Sequence, residues 1–93
     1  MRRRRSKIRY PSEAEIYLRR LKVEDALIKL DRYLNKAFLD GLSSVRVVHG
    51  KGTGTLRQAV QAELAKHPLV ESFRTAEFWE GGTGVTVVKL VER

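Results

Sequence analysis

His49, Gly50, Lys51, Gly52, Thr53 and Gly54 put an imidazole, an ammonium and three glycines into six consecutive positions. Each residue type suits phosphate chemistry. Glycine adopts backbone conformations closed to other residues and lets amide N–H groups come close to a ligand. Lysine and bare amides stabilise charge on phosphate oxygens. An imidazole moves protons near neutral pH, here to or from an oxygen on phosphorus. A histidine at a strand end is commonly structural, and a surface lysine is commonly only solvated. The combination turns the reading toward a site.

The flanking sequence says what must position these groups. Val45 to Val48 is a short apolar run, read as a buried strand. Leu56, Ala59, Val60 and Leu64 recur at helical spacing. The order is strand, glycine loop, helix. The first N–H groups of a helix lack internal partners and carry partial positive charge, which favours anions. The spacing GxxxxGK[ST] is absent, and the glycine pattern is not that of a dinucleotide fold, which argues against a nucleotide triphosphatase. There is no HExxH and no cysteine. A divalent cation such as Mg²⁺ therefore has no clear ligand set.

The remaining elements follow in order. Glu15 to Arg19 alternates apolar and polar residues and predicts a short strand, with Arg19 at its end either to pair with a phosphate or to flank the edge. Val23 to Leu39 predicts a helix with Ala26, Leu30, Leu34 and Ala37 on one face. Glu24 and Asp25 suit its first turn, and Gly41 its stop. A second helix starts near Thr53–Thr55, with a capping box from Thr55 to Gln58, and ends near Lys66. Pro68 prevents its continuation, and His67 is read as a C-terminal cap. A strand near Ser72–Ala76, a loop from Glu77 to Gly84 and a strand from Val85 to Leu90 complete the chain. Phe78 is expected in the core. Trp79 has two readings, core or stacking on an unpaired base.

The order β-α-β-α-β-β implies three parallel strands and a final antiparallel hairpin strand. Arg19, His49, the loop from Gly50 to Gly54 and the loop from Gly81 to Gly84 are then expected at one edge, outside the carboxyl ends of the strands.

The net charge is +8, and six of the 19 basic residues lie within residues 1–9, so the rest of the chain nearly balances its charge. Residues 1–13 read as a flexible basic arm or linker and 14–93 as one domain. Arg2, Arg3, Arg4 and Arg5 suit attraction to a polyanion without sequence readout. The arm lacks an apolar face, which argues against a membrane surface. A cysteine-free chain with no secretory signal fits the cytoplasm.

The segments Val23–Leu27, Leu30–Leu34, Gly41–Gly54 and Gly81–Val88 together resemble the Smr (small MutS-related) domain, in the form found at the C-terminus of bacterial MutS2 proteins. The resemblance implies an α/β two-layer sandwich with a four-stranded mixed sheet of order 1-2-4-3, similar to the C-terminal domain of translation initiation factor three. It implies nucleic-acid binding and, in many members, DNA nicking or RNA cleavage. The parents carry a MutS-type ATPase and act in recombination suppression or ribosome rescue. No such ATPase lies in this sequence, so it reads as part of a longer chain. The family's HGxG motif falls on His49–Gly52 and its later glycine motif on Gly82, Thr83 and Gly84. Its first-strand motif, Leu-Asp-x-Arg or Leu-Asp-x-His followed by glycine, falls on Ile16–Arg20. There Tyr17 replaces the aspartate and Arg20 the glycine, while Arg19 is kept. The leading expectation is a DNA-nicking endonuclease with His49, Lys51 and Arg19 as catalytic groups. Gly50, Gly52, Thr53, Gly54, Gly82, Thr83 and Gly84 would hold the nucleic acid, and Glu15 is a weak substitute for the lost carboxylate. The alternatives are a binding module without catalysis and an RNA-cleaving domain.

Overall fold

The computed structural model describes residues 14–92; the basic arm lies outside them. The elements are β1 (Glu15–Tyr17), α1 (Val23–Leu39), β2 (Ser44–Val48), α2 (Thr55–Lys66), β3 (Val70–Thr75) and β4 (Val85–Leu90), with 3₁₀ turns at Phe78–Glu80 and Gly82–Gly84. The sheet order is β1-β2-β4-β3. β1 and β2 are parallel, and β4 runs antiparallel to both β2 and β3. This is the two-layer topology expected from the sequence.

Strand alternation builds the core. Ile16, Val45, Val47, Val88 and Leu90 turn one sheet face toward the helices. Ala26, Leu30, Leu34 and Ala37 from α1 and Val60 and Leu64 from α2 cover that face. Each buried leucine or valine contributes roughly 1.5–3 kcal/mol relative to exposure. α1 ends as expected: Gly41, at φ +83°, lets the Leu42 amide bond back to Ala37 and its own amide to Phe38. No helix of the described residues is long and apolar enough to cross a membrane.

Three local expectations differ from the structure. β1 stops at Tyr17 because Leu18–Leu21 forms a turn, with Arg20 at φ +70°. β3 begins at Val70, because the chain reverses directly over Pro68–Leu69 and the Val70 amide bonds to the His67 carbonyl. Phe78 is not in the core: it is 91% exposed, and Trp79 is 79% exposed. Their turn is held to the sheet through Glu80, whose carboxylate pairs with Arg74 on β3 and whose carbonyl accepts from Arg46 on β2.

Candidate functional site

The carboxyl ends of β1 and β2 and the start of β4 share one edge, and the two glycine loops meet there. The amides of His49 and Gly50 both donate to the Gly84 carbonyl, at 3.1 and 2.9 Å. A Cβ on Gly84 would lie 3.3 Å from Lys51 Cγ and 3.4 Å from the Gly50 carbonyl carbon, so a side chain there would press on the Lys51 stem. Gly50 sits at φ +83° with the Arg19 side chain laid against it. Arg19 and Lys51 thus reach the same junction from different elements.

Two depressions flank the Gly50–Gly54 loop. On the helix side, a cleft of about 370 Å³ is lined by residues 20–23, which lead into α1, and by residues 49–57. Its lining carries Arg20, Lys22, Lys51 and Arg57 and, among the described residues, no carboxylate. On the other side, Arg19, Gly50, Lys51, Gly81 and Gly84 help line a second depression of about 320 Å³. Gly82 and Thr83 are not in the lining of either; the Gly82 amide is used on the Glu77 carbonyl.

The cleft lies between the N-termini of both helices, and neither has a side-chain cap. The expected capping box at Thr55–Gln58 does not form. Gly54 takes the cap position at φ +89°, so Thr55 is already helical and the Gln58 amide bonds to the Gly54 carbonyl. Thr53 instead pairs its hydroxyl with that of Thr55, at 2.9 Å. The Thr53 hydroxyl also accepts from the Thr55 amide, at 3.4 Å. The remaining first-turn amides of α2 and four cations make this edge suited to an anion.

His49 continues the β2 alternation toward the helices and is only 4% exposed. Its Nδ1 lies 3.0 Å from the Gly50 carbonyl, which can only accept, so Nδ1 carries the proton. Nε2 then accepts from the Thr86 hydroxyl at 2.8 Å, and Gln61 Nε2 donates to the same hydroxyl at 3.1 Å. Burial pushes the imidazole pKa below its ordinary value, opposed by the Gly50 bond and assisted by the nearby Arg57 charge. The ring is therefore neutral, with both nitrogens engaged. It holds the first carbonyl of the glycine loop.

Glu15 is no free acid. Its carboxylate pairs with Arg46 and accepts from the Tyr17 hydroxyl, so it does not stand in for the missing aspartate. Among the described residues, no group of three or more His, Cys, Asp or Glu side chains is placed to hold a metal ion.

Sequence reasoning missed Thr86, Gln61, Arg57, Arg20 and Lys22. Thr86 had a signal: it is the one polar residue on the inward face of β4, in step with Val88 and Leu90. The others become neighbours only through the packing of helix starts against the loop. His67 also does more than end α2: its Nε2 donates to Asp31 on α1 at 2.8 Å, and its Nδ1 accepts from the Leu69 amide at 3.2 Å.

Fold and edge define a two-layer α/β domain with a cationic glycine cleft. Within that class the chain belongs to the Smr family, whose domain matches residues 16–91. It is 64% identical over 78 residues to endonuclease MutS2 of Thermomicrobium roseum and 55% identical over 76 residues to that of Geobacillus kaustophilus, covering 84% and 82% of this chain. It spans only 10% of the length of those relatives. The Smr domain of Thermus thermophilus MutS2 superposes with a TM-score of 0.81 at 51% identity, over 83% of this chain and 96% of that one. The stand-alone small MutS-related protein YdaL of Escherichia coli gives 0.82 at 31% identity, over 90% and 69%.

Proposed function

We propose that this domain binds the phosphodiester backbone of nucleic acid at its glycine edge and, within a cytoplasmic MutS2-type parent carrying a MutS-type ATPase, nicks DNA there. One observation carries the reading: the N-termini of both helices, the amides of residues 51–53 and the cations Arg19, Arg20, Lys22, Lys51 and Arg57 converge on one edge. The endonuclease names of the relatives support the nicking part. Lys51, Arg19 and the amides of residues 51–53 stabilise charge gathering on the phosphate oxygens, the Gly50 and Gly54 amides being bonded to the Gly84 and Lys51 carbonyls. His49 has a different role from the acid or base expected of it. With both nitrogens committed, it is a positioning residue that fixes the Gly50 carbonyl and so aims the loop.

Supercoiled plasmid, with and without Mg²⁺, tests this reading. Nicked circles should accumulate with the wild-type domain and slow markedly with Lys51→Ala. A retarded band with supercoils intact favours the second reading, binding without cleavage. The hydroxyl of Tyr17, bonded to Glu15 where a free carboxylate is expected, favours that reading. Cleavage of RNA that survives a 2′-deoxy substitution at the scissile position excludes the 2′-hydroxyl as nucleophile.

The basic arm adds affinity without selectivity. Deleting residues 1–9 should lower the dependence of log K on log salt by up to about 0.9 for each phosphate that the arm neutralises. An unchanged slope makes the arm a bystander. Recombination suppression and ribosome rescue belong to the parent chain on this reading.

A further inference from the structure

Phe78 and Trp79 are the most exposed large hydrophobic residues described, at 91% and 79%. Their turn is tied to the sheet by several hydrogen bonds. Glu80 Oε1 accepts from the Glu77 amide at 2.9 Å and from Arg74 at 2.8 Å, and its second oxygen takes the other arm of the guanidinium at 3.1 Å. The same residue's carbonyl accepts from Arg46 at 2.5 Å. These bonds hold the Glu80 carboxyl down at about 2, with the Arg74 bond the largest cause. A short turn fixed by two strands thus presents two aromatic rings to water.

The turn is also continuous with the phosphate edge. The Gly81 amide closes it on the Phe78 carbonyl, and Gly81 lines the depression shared with Arg19, Lys51 and Gly84. Only one residue, Glu80, lies between Trp79 and Gly81 of that lining, two steps and at most about 7 Å of chain. The neighbouring cations select an anionic partner, and the rings offer that partner a flat apolar face. A nucleic-acid strand supplies both: a phosphate for the glycine edge and, where unpaired, a base for the rings. Inside a regular duplex the base faces are already stacked on one another.

We propose that Phe78 and Trp79 form a stacking platform for an unpaired base next to the phosphate held at the glycine edge, so that the domain prefers single-stranded or distorted nucleic acid to regular duplex. The inference rests on the reading of that edge as a phosphate site. Trp79 is the single tryptophan of the chain, so its emission reports on the platform directly.

The test titrates the intact chain with an end-labelled single-stranded oligonucleotide and with its blunt duplex. Probe anisotropy and tryptophan emission are followed together. The single strand should quench Trp79 strongly and the duplex weakly. The double variant Phe78→Ala, Trp79→Ala should bind the single strand about tenfold or more weaker and the duplex nearly unchanged; Trp79→Phe should restore most of the loss. Lys51→Ala should weaken both. Anisotropy binding without quenching, and with the double variant equal to wild type, overturns the platform and leaves the phosphate site standing. No anisotropy change with either probe overturns both. A change of sedimentation in the double variant with strand affinity unaltered assigns the rings to a protein contact and overturns the proposal.

Discussion

The two histidines lie at opposite ends of α2 and look alike by simple measures. His49 is 4% exposed and His67 7% exposed, and each has both ring nitrogens engaged. Their bonds run in opposite senses. His49 donates from Nδ1 and accepts at Nε2; His67 accepts at Nδ1 and donates from Nε2 to Asp31. Their surroundings differ more. His49 grips a loop of left-handed glycines in a cleft with four cations and two helix N-termini. His67 ties the C-terminus of α2 to α1 beside Asp31 and Glu63. A buried, satisfied imidazole is therefore a brace, and its value depends on what it braces.

The largest expected effect separates the two braces by activity. His49→Ala should slow plasmid nicking about 100-fold, the cost of a loop displaced by an ångström or so, while His67→Ala nicks within about twofold of wild type. Equal losses in both would end the distinction. Within the first brace, Thr86→Val leaves Nε2 without a partner and should give part of the same loss.

Stability should show the reverse weighting. His67→Ala leaves the Leu69 amide without its ring acceptor and frees Asp31, and it should cost about 1–3 kcal/mol in denaturant unfolding. A cost below the error of the fit would mean that α1 and α2 hold together without the tie.

A smaller effect comes from the backbone beside His49. Arg20 holds φ +70° where the resemblance expects glycine. Arg20→Gly should stabilise the fold by about 1 kcal/mol by removing the left-handed penalty, and should weaken nucleic-acid binding a few-fold through loss of the charge. Tighter binding would place the guanidinium outside the anion's reach.

The smallest is a pH slope. Well above pH 6.5 His49 is neutral folded or unfolded and contributes no slope. Below it, the unfolded chain takes the proton first, because the folded pKa is lower. Stability should decline as pH falls from about 6.5 toward that lower value, and His49→Gln should flatten the decline. A slope that persists in the variant belongs to another group.

The glycine motifs were legible because they record backbone geometry directly. Gly50 and Gly54 take left-handed angles, and Gly84 stands where two loops touch. The role of His49 was not legible. Strand alternation carries it inward, but whether a ring nitrogen stays free depends on Thr86 and Gln61, 37 and 25 positions from their partners in that chain of bonds. Phe78 misled for a related reason. An aromatic residue is commonly expected to cover the core, even from a polar, glycine-rich loop, and the long-range ties of Glu80 to Arg74 and Arg46 that hold this segment outside are not visible in the local sequence.

Period, turn residues and crossover handedness are local or nearly so. They set the two layers, the strand directions and the edge where the glycines gather, and all three can be read along the chain. Which cations share that edge, that the imidazole is closed off and that two rings face water emerge only once the elements pack. Those outcomes depend on distant residues competing for the same few ångströms, and no local pattern encodes the result.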